Sequence, residues 1–398
     1  MRILVITQYF HPESASISTI CEAWVRLGHH VQVLTSKPED GFGQIPKDYI
    51  KIKDEVVSGV NIHRVQTFAK QKSLWSRLRN FFTFYQASIK AVEQLPGRYD
   101  VVISVGYPPL TSVSAGIKYA KKHHLPHVLY VVDPWPESMV AEGWIQAQGL
   151  LFKWFNRWRM AIYRSQQHVV VSSESLKHEV SRYVEATSIH PDVINLPAQV
   201  EQLTQDGMDY GEGFHLVYVG RFEKTKRLDM LIKAWEKVPK LTHLHLVGEG
   251  SQLPNLKAIV KQKNLGAVIH FYAHQTPENV GKFLQASDAI FVGQMSPTIV
   301  GKVMPSSLAQ ALAFGKPIIS AFQGDGLKVL KALPRTFQVD ATMKSLPLVL
   351  QRIKKLTTIQ LEALTTRHLA FYRENLSAYE AAKAFESYFK SLIQVKRS

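Results

Sequence analysis

Four cations crowd one short stretch of the chain: Arg221, Lys224, Lys226 and Arg227, in VYVGRFEKTKRLDMLIKAW (217–235). A β-branched apolar run ends at Gly220 just before them, and a helical pattern opens at Leu228 just after. Loops at the carboxyl ends of strands face the ligand crevice of a doubly wound sheet. Cations placed there can neutralise a diphosphate. A guanidinium at Arg221 forks two phosphate oxygens, and an ammonium at Lys226 adds a point charge. The alternative is a solvated basic loop.

Three other stretches carry chemistry-bearing residue types. In GKVMPSSLAQALAFGKPII (301–319), a loop over 301–307 leads into helical periodicity from Leu308 to Phe314, closed by Gly315 as a C-cap. Pro305, Ser306 and Ser307 stand at the helix start, where free N–H groups and the helix dipole attract anions. The alternative is that Ser306 or Ser307 is simply the N-cap. The stretch contains no carboxylate. In VVDPWPESMVAEGW (131–144), Asp133 and Glu137 flank Trp135 directly after a strand. A carboxylate there can order a sugar hydroxyl or act as a base, and an indole offers a flat face to a sugar ring or lipid. The alternative is a turn with Asp133 capping a helix. LVGEGSQL (246–253) is a Gly-rich strand-to-helix turn without the spacing of a dinucleotide fingerprint or a P-loop.

Two series of strand-then-helix signals must position these residues. ILVIT (3–7), VQVLT (31–35), DVVISV (100–105), HVLYVV (127–132) and HVVVSS (168–173) read as buried parallel strands, with helix-like segments at 18–27 and 110–122. The pattern restarts with HLVYVG (215–220), LHLVG (244–248), VIHFY (268–272), AIFVG (289–293) and PIIS (317–320), with helices at 228–238, 253–262 and 277–286. Both halves read as doubly wound α/β domains. Weak periodicity, two prolines and three glycines over 190–214 mark the boundary. The domains are expected at 1–195 and 205–372, facing a cleft, with the terminal helix of 373–398 packing back on the first.

The 398-residue chain is long enough for two cores. No apolar run approaches the roughly 18 residues of a membrane span, and MRILVITQYF reads as a buried first strand rather than a signal peptide. The one cysteine, Cys21, excludes an internal disulfide and a Cys-rich metal site. A cytoplasmic location is expected. HExxH, paired CxxC and GxSxG are absent, which removes metalloprotease, zinc-site and α/β-hydrolase readings.

The formal net charge is +16. Residues 1–198 hold 22 Lys and Arg against 16 Asp and Glu, and residues 199–398 hold 26 against 16, so no tail explains the excess. Phosphates, an anionic membrane surface or nucleic acid are partners for such a chain. The basic residues form no nucleic-acid reading motif. Residues 56–92 hold Arg64, Lys70, Lys72, Arg77, Arg79 and Lys90 without an acid, interleaved with Leu74, Trp75, Leu78, Phe81, Phe82 and Tyr85. Residues 143–173 repeat the theme, with Lys153, Arg157, Arg159 and Arg164 among Trp154, Phe155 and Trp158. Such segments lie on anionic bilayers. The alternative is helices with aromatic faces in the core.

Taken in order, ILVITQYFHPE, LGHHVQVLTSKP, DPWPES, VGRFEKTKRLDMLIKAW, LVGEGSQL and ALAFGKPII resemble the GT-B glycosyltransferases, in particular glycosyltransferase family 4. YFHPE and DPWPES look most like the branch that builds cell-surface polysaccharides on a lipid carrier. The resemblance implies two Rossmann-like domains, a nucleotide-diphosphate sugar held by the second and an acceptor held by the first. It also implies retention at the anomeric carbon, no metal and no cofactor. Arg221 and Lys226 fall where the family's paired diphosphate-binding cations fall, and Asp133 joins them as a catalytic candidate. Donor-binding candidates are Gly220, Tyr272, Lys302, Pro305, Ser306, Ser307 and Gln310. Trp135 and Glu137 are acceptor-side candidates. The family often has Glu-x7-Glu at the closing helix, where this chain has Lys302 and Gln310. The branch often uses a Pro-Ser-Lys loop, of which Pro305-Ser306-Ser307 keeps two residues. A glycine pair expected after PE is replaced by Ser14, Ala15 and Ser16.

The expected partners are therefore a nucleotide sugar, a lipid-linked or saccharide acceptor and the anionic inner face of the membrane, reached peripherally, with no nucleic acid. The alternative is a non-catalytic GT-B partner or regulatory subunit of another glycosyltransferase.

Overall fold

The computed structural model describes the chain except residues 14, 40–43, 69–72, 185–188, 200–206, 297 and 398. It divides into two compact units, Met1–Pro197 with Ala378–Ser398, and Ala198–Ser377.

The first unit is built on an eight-stranded sheet. Its strands are β1 (Arg2–Ile6), β2 (His30–Ser36), β3 (Asp54–Val57), β4 (Val60–Val65), β5 (Val101–Gly106), β6 (His127–Val131), β7 (His168–Val171) and β8 (Asp192–Val193). They lie in the order β3-β4-β2-β1-β5-β6-β7-β8. All pairs are parallel except β3 with β4. Central strands such as VVISVG are buried at every position, because helices cover both faces. On one face α1 (Ser16–Arg26) packs against the terminal helix of the chain. On the other lie α2 (Leu74–Val92) and α3 (Ser112–His123). Beyond β6 come α4 (Glu137–Ala141), α5 (Leu150–Arg164) and α6 (Glu174–Val184).

The second unit has the order β11-β10-β9-β12-β13-β14, all parallel. The strands are β9 (Phe214–Val219), β10 (Thr242–Val247), β11 (Ile269–Tyr272), β12 (Ala289–Gln294), β13 (Ile318–Phe322) and β14 (Phe337–Gln338). Its helices are α7 (Leu228–Ala234), α8 (Leu253–Gln262), α9 (Pro277–Ala286), α10 (Ser306–Ala313), α11 (Gly324–Lys331), α12 (Leu346–Lys354) and α13 (Thr358–Asn375). A capping box of Thr357 and Gln360 starts α13, which runs to 375, past the expected domain end at 372. The final helix, α14 (Ala378–Arg397), belongs to the first unit. There Phe385 and Phe389 pack on Trp24, whose indole N–H donates to Ala382 O. Truncating either ring is expected to cost about 3–5 kcal/mol.

The sheet order locates the ligand end of each unit. Strand order reverses between β1 and β5 in the first sheet and between β9 and β12 in the second. Ligands bind outside the carboxyl ends of the strands at such switch points.

The window 56–92 is not one segment. A two-residue turn at Ser58 and Gly59, both at positive φ, folds its start into the β3–β4 hairpin, and only residues from Leu74 onward form α2. Lys70, Lys72 and Ser14 lie outside the described residues.

Candidate functional site

In the second unit the loops after β9, β10 and β12 are laced together at the switch point. Gly220 N–H donates to Val247 O, Phe222 N–H to Glu249 O, Gln252 N–H to Phe222 O, and Met295 N–H to Thr225 O at 2.7 Å. Glycine permits this closeness. A Cβ on Gly248, at φ +134°, would fall 2.1 Å from Gly220 O, and one on Gly250 would fall 2.5 Å from Phe222 O.

On this frame Lys226 Nζ donates to Gln294 Oε1 at 3.0 Å. Gln294, buried at the end of β12, donates its own amide to Val300 O and Val303 O. One side chain thus spans the switch point, from the β9 loop to the β12 loop. Sequence reasoning missed Gln294; its signal was a lone amide ending an apolar strand. Arg221 is 61% exposed and its Nε bonds Glu223 Oε1 at 2.8 Å. Tyr218 OH donates to Arg221 O and fixes the turn. The two expected cations therefore share one loop, with Arg221 the more exposed of the two.

The loop into α10 completes this end of the sheet. Pro305 occupies the N-cap and makes no side-chain capping bond, which corrects the alternative that Ser306 or Ser307 is the cap. Those serines are the first two helical residues, so their N–H groups open the helix without a side-chain acceptor at its cap. Lys302 is exposed, and its carbonyl accepts from Asp325 N–H. Gln310 Oε1 accepts from Gln199 N–H at 3.1 Å, so part of the capacity expected for a ribose hydroxyl holds the chain entering the second unit. Tyr272 departs from expectation. Its hydroxyl lies 3.2 Å from His245 Nδ1 and its ring packs on Phe283 under α9, so it belongs to the packing of the sheet face rather than to the cationic loops.

Tyr272 borders four histidines. His215, His243, His245 and His270 come from β9, β10 and β11, with Nδ1 of His215 3.0 Å from Nε2 of His245 and Tyr210 stacked over both rings. Burial drives His245 down to about 3, with His270, His215 and His243 adding to the shift. Among the described residues no group of three or more His, Cys, Asp or Glu side chains is arranged to hold a metal ion.

In the first unit the turn after β6 carries Asp133, half-buried at the strand end. Burial and then the charge of Asp133 raise the pKa of Tyr107. Trp135 corrects its expectation. It is fully buried against Phe155 and Trp158 of α5, with its indole N–H on Met139 Sδ, and presents no face to a sugar. Glu137 is ion-paired to buried Arg159 at 2.7 Å. Near the first switch point, buried Gln8 joins Asn80 and Thr111, and Asn80 reaches Glu39. This network sat unread behind an apolar strand.

The basic aromatic segments divide the same way. Arg64 is buried and paired with Glu55, and Arg159 is 1% exposed, so neither is a surface cation. Trp75, Phe82, Leu150, Leu151 and Trp154 are exposed, as are Arg79, Lys153, Arg157 and Arg164. Arg77 lies over the Trp144 ring at 4.2 Å, which joins the start of α2 to the approach to α5. No described helix is long and apolar enough to cross a membrane.

Comparison with known proteins gives two abutting matches. The model of Glycosyltransferase Family 4 matches residues 14–195, and that of Glycosyl transferases group 1 matches residues 201–332. A lipopolysaccharide 1,6-galactosyltransferase of Escherichia coli K12 is 28% identical over 158 residues, 39% of this chain and 42% of that enzyme, so less than half of the relative is spanned. Among solved structures, a sucrose-phosphate synthase from Thermosynechococcus elongatus aligns over 99% of this chain and 100% of its own at TM-score 0.75 and 16% identity. Anabaena HepE in complex with UDP-glucose aligns over 98% and 100% at TM-score 0.68 and 13% identity. These two likenesses are of fold.

Proposed function

Because the chain belongs to the GT-B glycosyltransferases of the family 4-like type, we propose that it moves a sugar from a nucleotide-diphosphate donor to a lipid-linked or saccharide acceptor of surface glycoconjugate synthesis. Transfer retains the anomeric configuration and needs no metal. The observation that carries this reading is Lys226, held at the switch point of the second sheet by Gln294, with Arg221 on the same loop. Departure of a nucleoside diphosphate develops negative charge. A fixed ammonium, a guanidinium and the open start of α10 supply positive potential for it. Arg221 would exchange Glu223 for a phosphate oxygen. In the first unit we assign to Asp133, at the end of β6, the ordering of an acceptor hydroxyl.

The acceptor side would meet the membrane through the exposed apolar and basic residues of α2 and α5. Anionic headgroups attract each cation by about 1 kcal/mol near the surface, and Leu150, Leu151, Trp154 and Trp75 supply the apolar contact. The enzyme then works peripherally on the cytoplasmic face.

One observation favours the second reading, a non-catalytic partner of another transferase: Lys302 and Gln310 replace the usual carboxylates, and Gln310 is engaged by Gln199. Turnover separates the two. The purified chain is incubated with UDP-galactose or UDP-glucose and a truncated lipopolysaccharide core, with and without chelator. UDP release is measured, and product configuration is read by NMR. Chelator-resistant transfer with retained configuration is expected. Donor binding without hydrolysis or transfer favours the partner reading, and inversion or chelator-sensitive transfer overturns the mechanism.

A further inference from the structure

Helix α5 has two unlike faces. Leu150, Leu151 and Trp154 are exposed on one, while Phe155, Arg159, Ile162 and Tyr163 are buried on the other. The buried cation is the unusual member. Arg159 Nη1 donates to Trp135 O and to Glu137 Oε2, both at 2.7 Å, and Nη2 donates to Asn156 Oδ1. Its guanidinium carbon lies 4.1 Å from the centre of the Tyr183 ring of α6, and Tyr183 OH is itself fixed on Glu179.

Packing alone does not call for this arrangement. A buried ion pair is often no more stabilising than apolar side chains of the same volume, because desolvation offsets the attraction. Here one nitrogen of Arg159, its Nε, is also left without a hydrogen bond. What an apolar side chain cannot provide is direction. The guanidinium binds two atoms of a single turn, one of the backbone and one of a side chain, and so fixes the turn's orientation. That turn starts at Asp133, and its middle residue, Trp135, is wedged between Phe155 and Trp158 of the same helix.

We infer that Arg159 is a positioning residue for the acceptor: by clamping Trp135 O and the Glu137 carboxylate it sets the 133–137 turn, and with it the Asp133 carboxylate at the end of β6. This rests on the glycosyltransferase reading above. Glu137 is the clamp's second jaw rather than an acceptor contact. The clamp also ties the turn to the helix whose outer face carries the exposed apolar residues, so the reacting turn and the membrane-facing helix move as one piece.

The test uses the full chain, UDP-galactose and a truncated lipopolysaccharide core, with kinetics expressed per folded molecule. For Arg159→Met, the acceptor KM is expected to rise about tenfold and transfer kcat to fall up to about 100-fold, the scale of a small misplacement of a reacting group. Donor KM, and UDP release in the absence of acceptor, should stay within about twofold, because the donor loops belong to the other unit. Glu137→Gln keeps the shape and removes the charge, so it should show the same split at smaller size. Amide hydrogen exchange over 132–141 should quicken in both variants, with α7–α10 unchanged.

A purely structural Arg159 predicts the opposite pattern, with total UDP release and total transfer falling together as the folded fraction falls, while kcat and both KM values per folded molecule stay unchanged. That result overturns the inference, as does an unaltered acceptor KM in Glu137→Gln should Arg159→Met fail to fold. A wild type that turns over no nucleotide sugar is a separate failure, since it removes the glycosyltransferase reading on which the inference stands.

Discussion

Removing the Lys226 ammonium should separate catalysis from stability. In Lys226→Ala the partner Gln294 loses one contact but keeps both of its own donated bonds, to Val300 O and Val303 O. The buried amide is left mostly satisfied, so stability should change by no more than about 1 kcal/mol. The effect on transfer is larger. Two unit charges about 4 Å apart at a protein surface attract by about 4 kcal/mol. The cost of deleting one preorganised donor to developing charge is about 3 kcal/mol, or about 150-fold in rate. Arg221→Ala should cost less, about 1–2 kcal/mol, because Arg221 is 61% exposed and must first leave Glu223. Gln294→Leu reverses the pattern. It strands two buried carbonyls, costs roughly 1–3 kcal/mol of stability for each, and lets Lys226 swing. Steady-state transfer and denaturant unfolding on the three variants decide the matter. A Lys226→Ala enzyme with wild-type kcat, or one as destabilised as Gln294→Leu, refutes the assignment.

Other perturbations have readable outcomes. Burial lowers His245 to about 3, and His127 and His368 to about 4. These groups stay neutral when folded but protonate when unfolded below about 6.5, so stability is full above that pH and is lost as pH falls toward 4. At pH 5 each should cost about 2 kcal/mol, and unfolding at pH 7 and pH 5 measures the loss; equal stability at both would contradict the buried neutral state. Gly248→Ala should cost more than about 2 kcal/mol and weaken donor binding, since its Cβ meets Gly220 O at 2.1 Å at a positive φ; calorimetry checks both. The chain should bind anionic vesicles at low salt and release at high salt, and Trp75→Ser with Leu150→Ser and Trp154→Ser should weaken binding without altering nucleotide affinity. Flotation that ignores salt and these residues would make the face something other than a membrane surface.

The central strands were legible because parallel strands buried on two faces must be nearly continuous apolar runs, as VVISVG of β5 and AIFVGQ of β12 are. The β3–β4 hairpin was legible in principle from its Ser58-Gly59 turn, but the basic residues drew it into a surface segment. The larger misreadings share one cause. Counting charges in a window sees only local partners. Arg64 meets Glu55 nine residues away across a hairpin, and Arg159 meets Glu137 on another helix, so two cations that read as solvated are buried. Trp135 failed for a related reason. An indole beside carboxylates suits a sugar site, but Phe155 and Trp158 stand one turn apart on α5 and enclose it. Tyr272 and Gln310 likewise had partners, His245 and Gln199, that no local pattern reveals.

The same distinction bears on the missing carboxylates. Side-chain acids at 302 and 310 would grip a donor, but they are not what shapes the loop. A Cβ on Gly301 would lie 2.1 Å from Ser296 O, one on Gly324 2.2 Å from Lys302 O, and one on Gly326 3.0 Å from Pro305. Close backbone contacts at Ser296 and Lys302 therefore hold Gly301 and Gly324 in place, and Gln294 holds the same stretch again through Val300 O and Val303 O. On the proposed reading a departing diphosphate needs positive potential in a held geometry; Lys226 is held by Gln294 rather than by residues 302 and 310, so a lysine and an amide at those positions are expected to change the grip on a donor sugar more than the stabilisation of the developing charge.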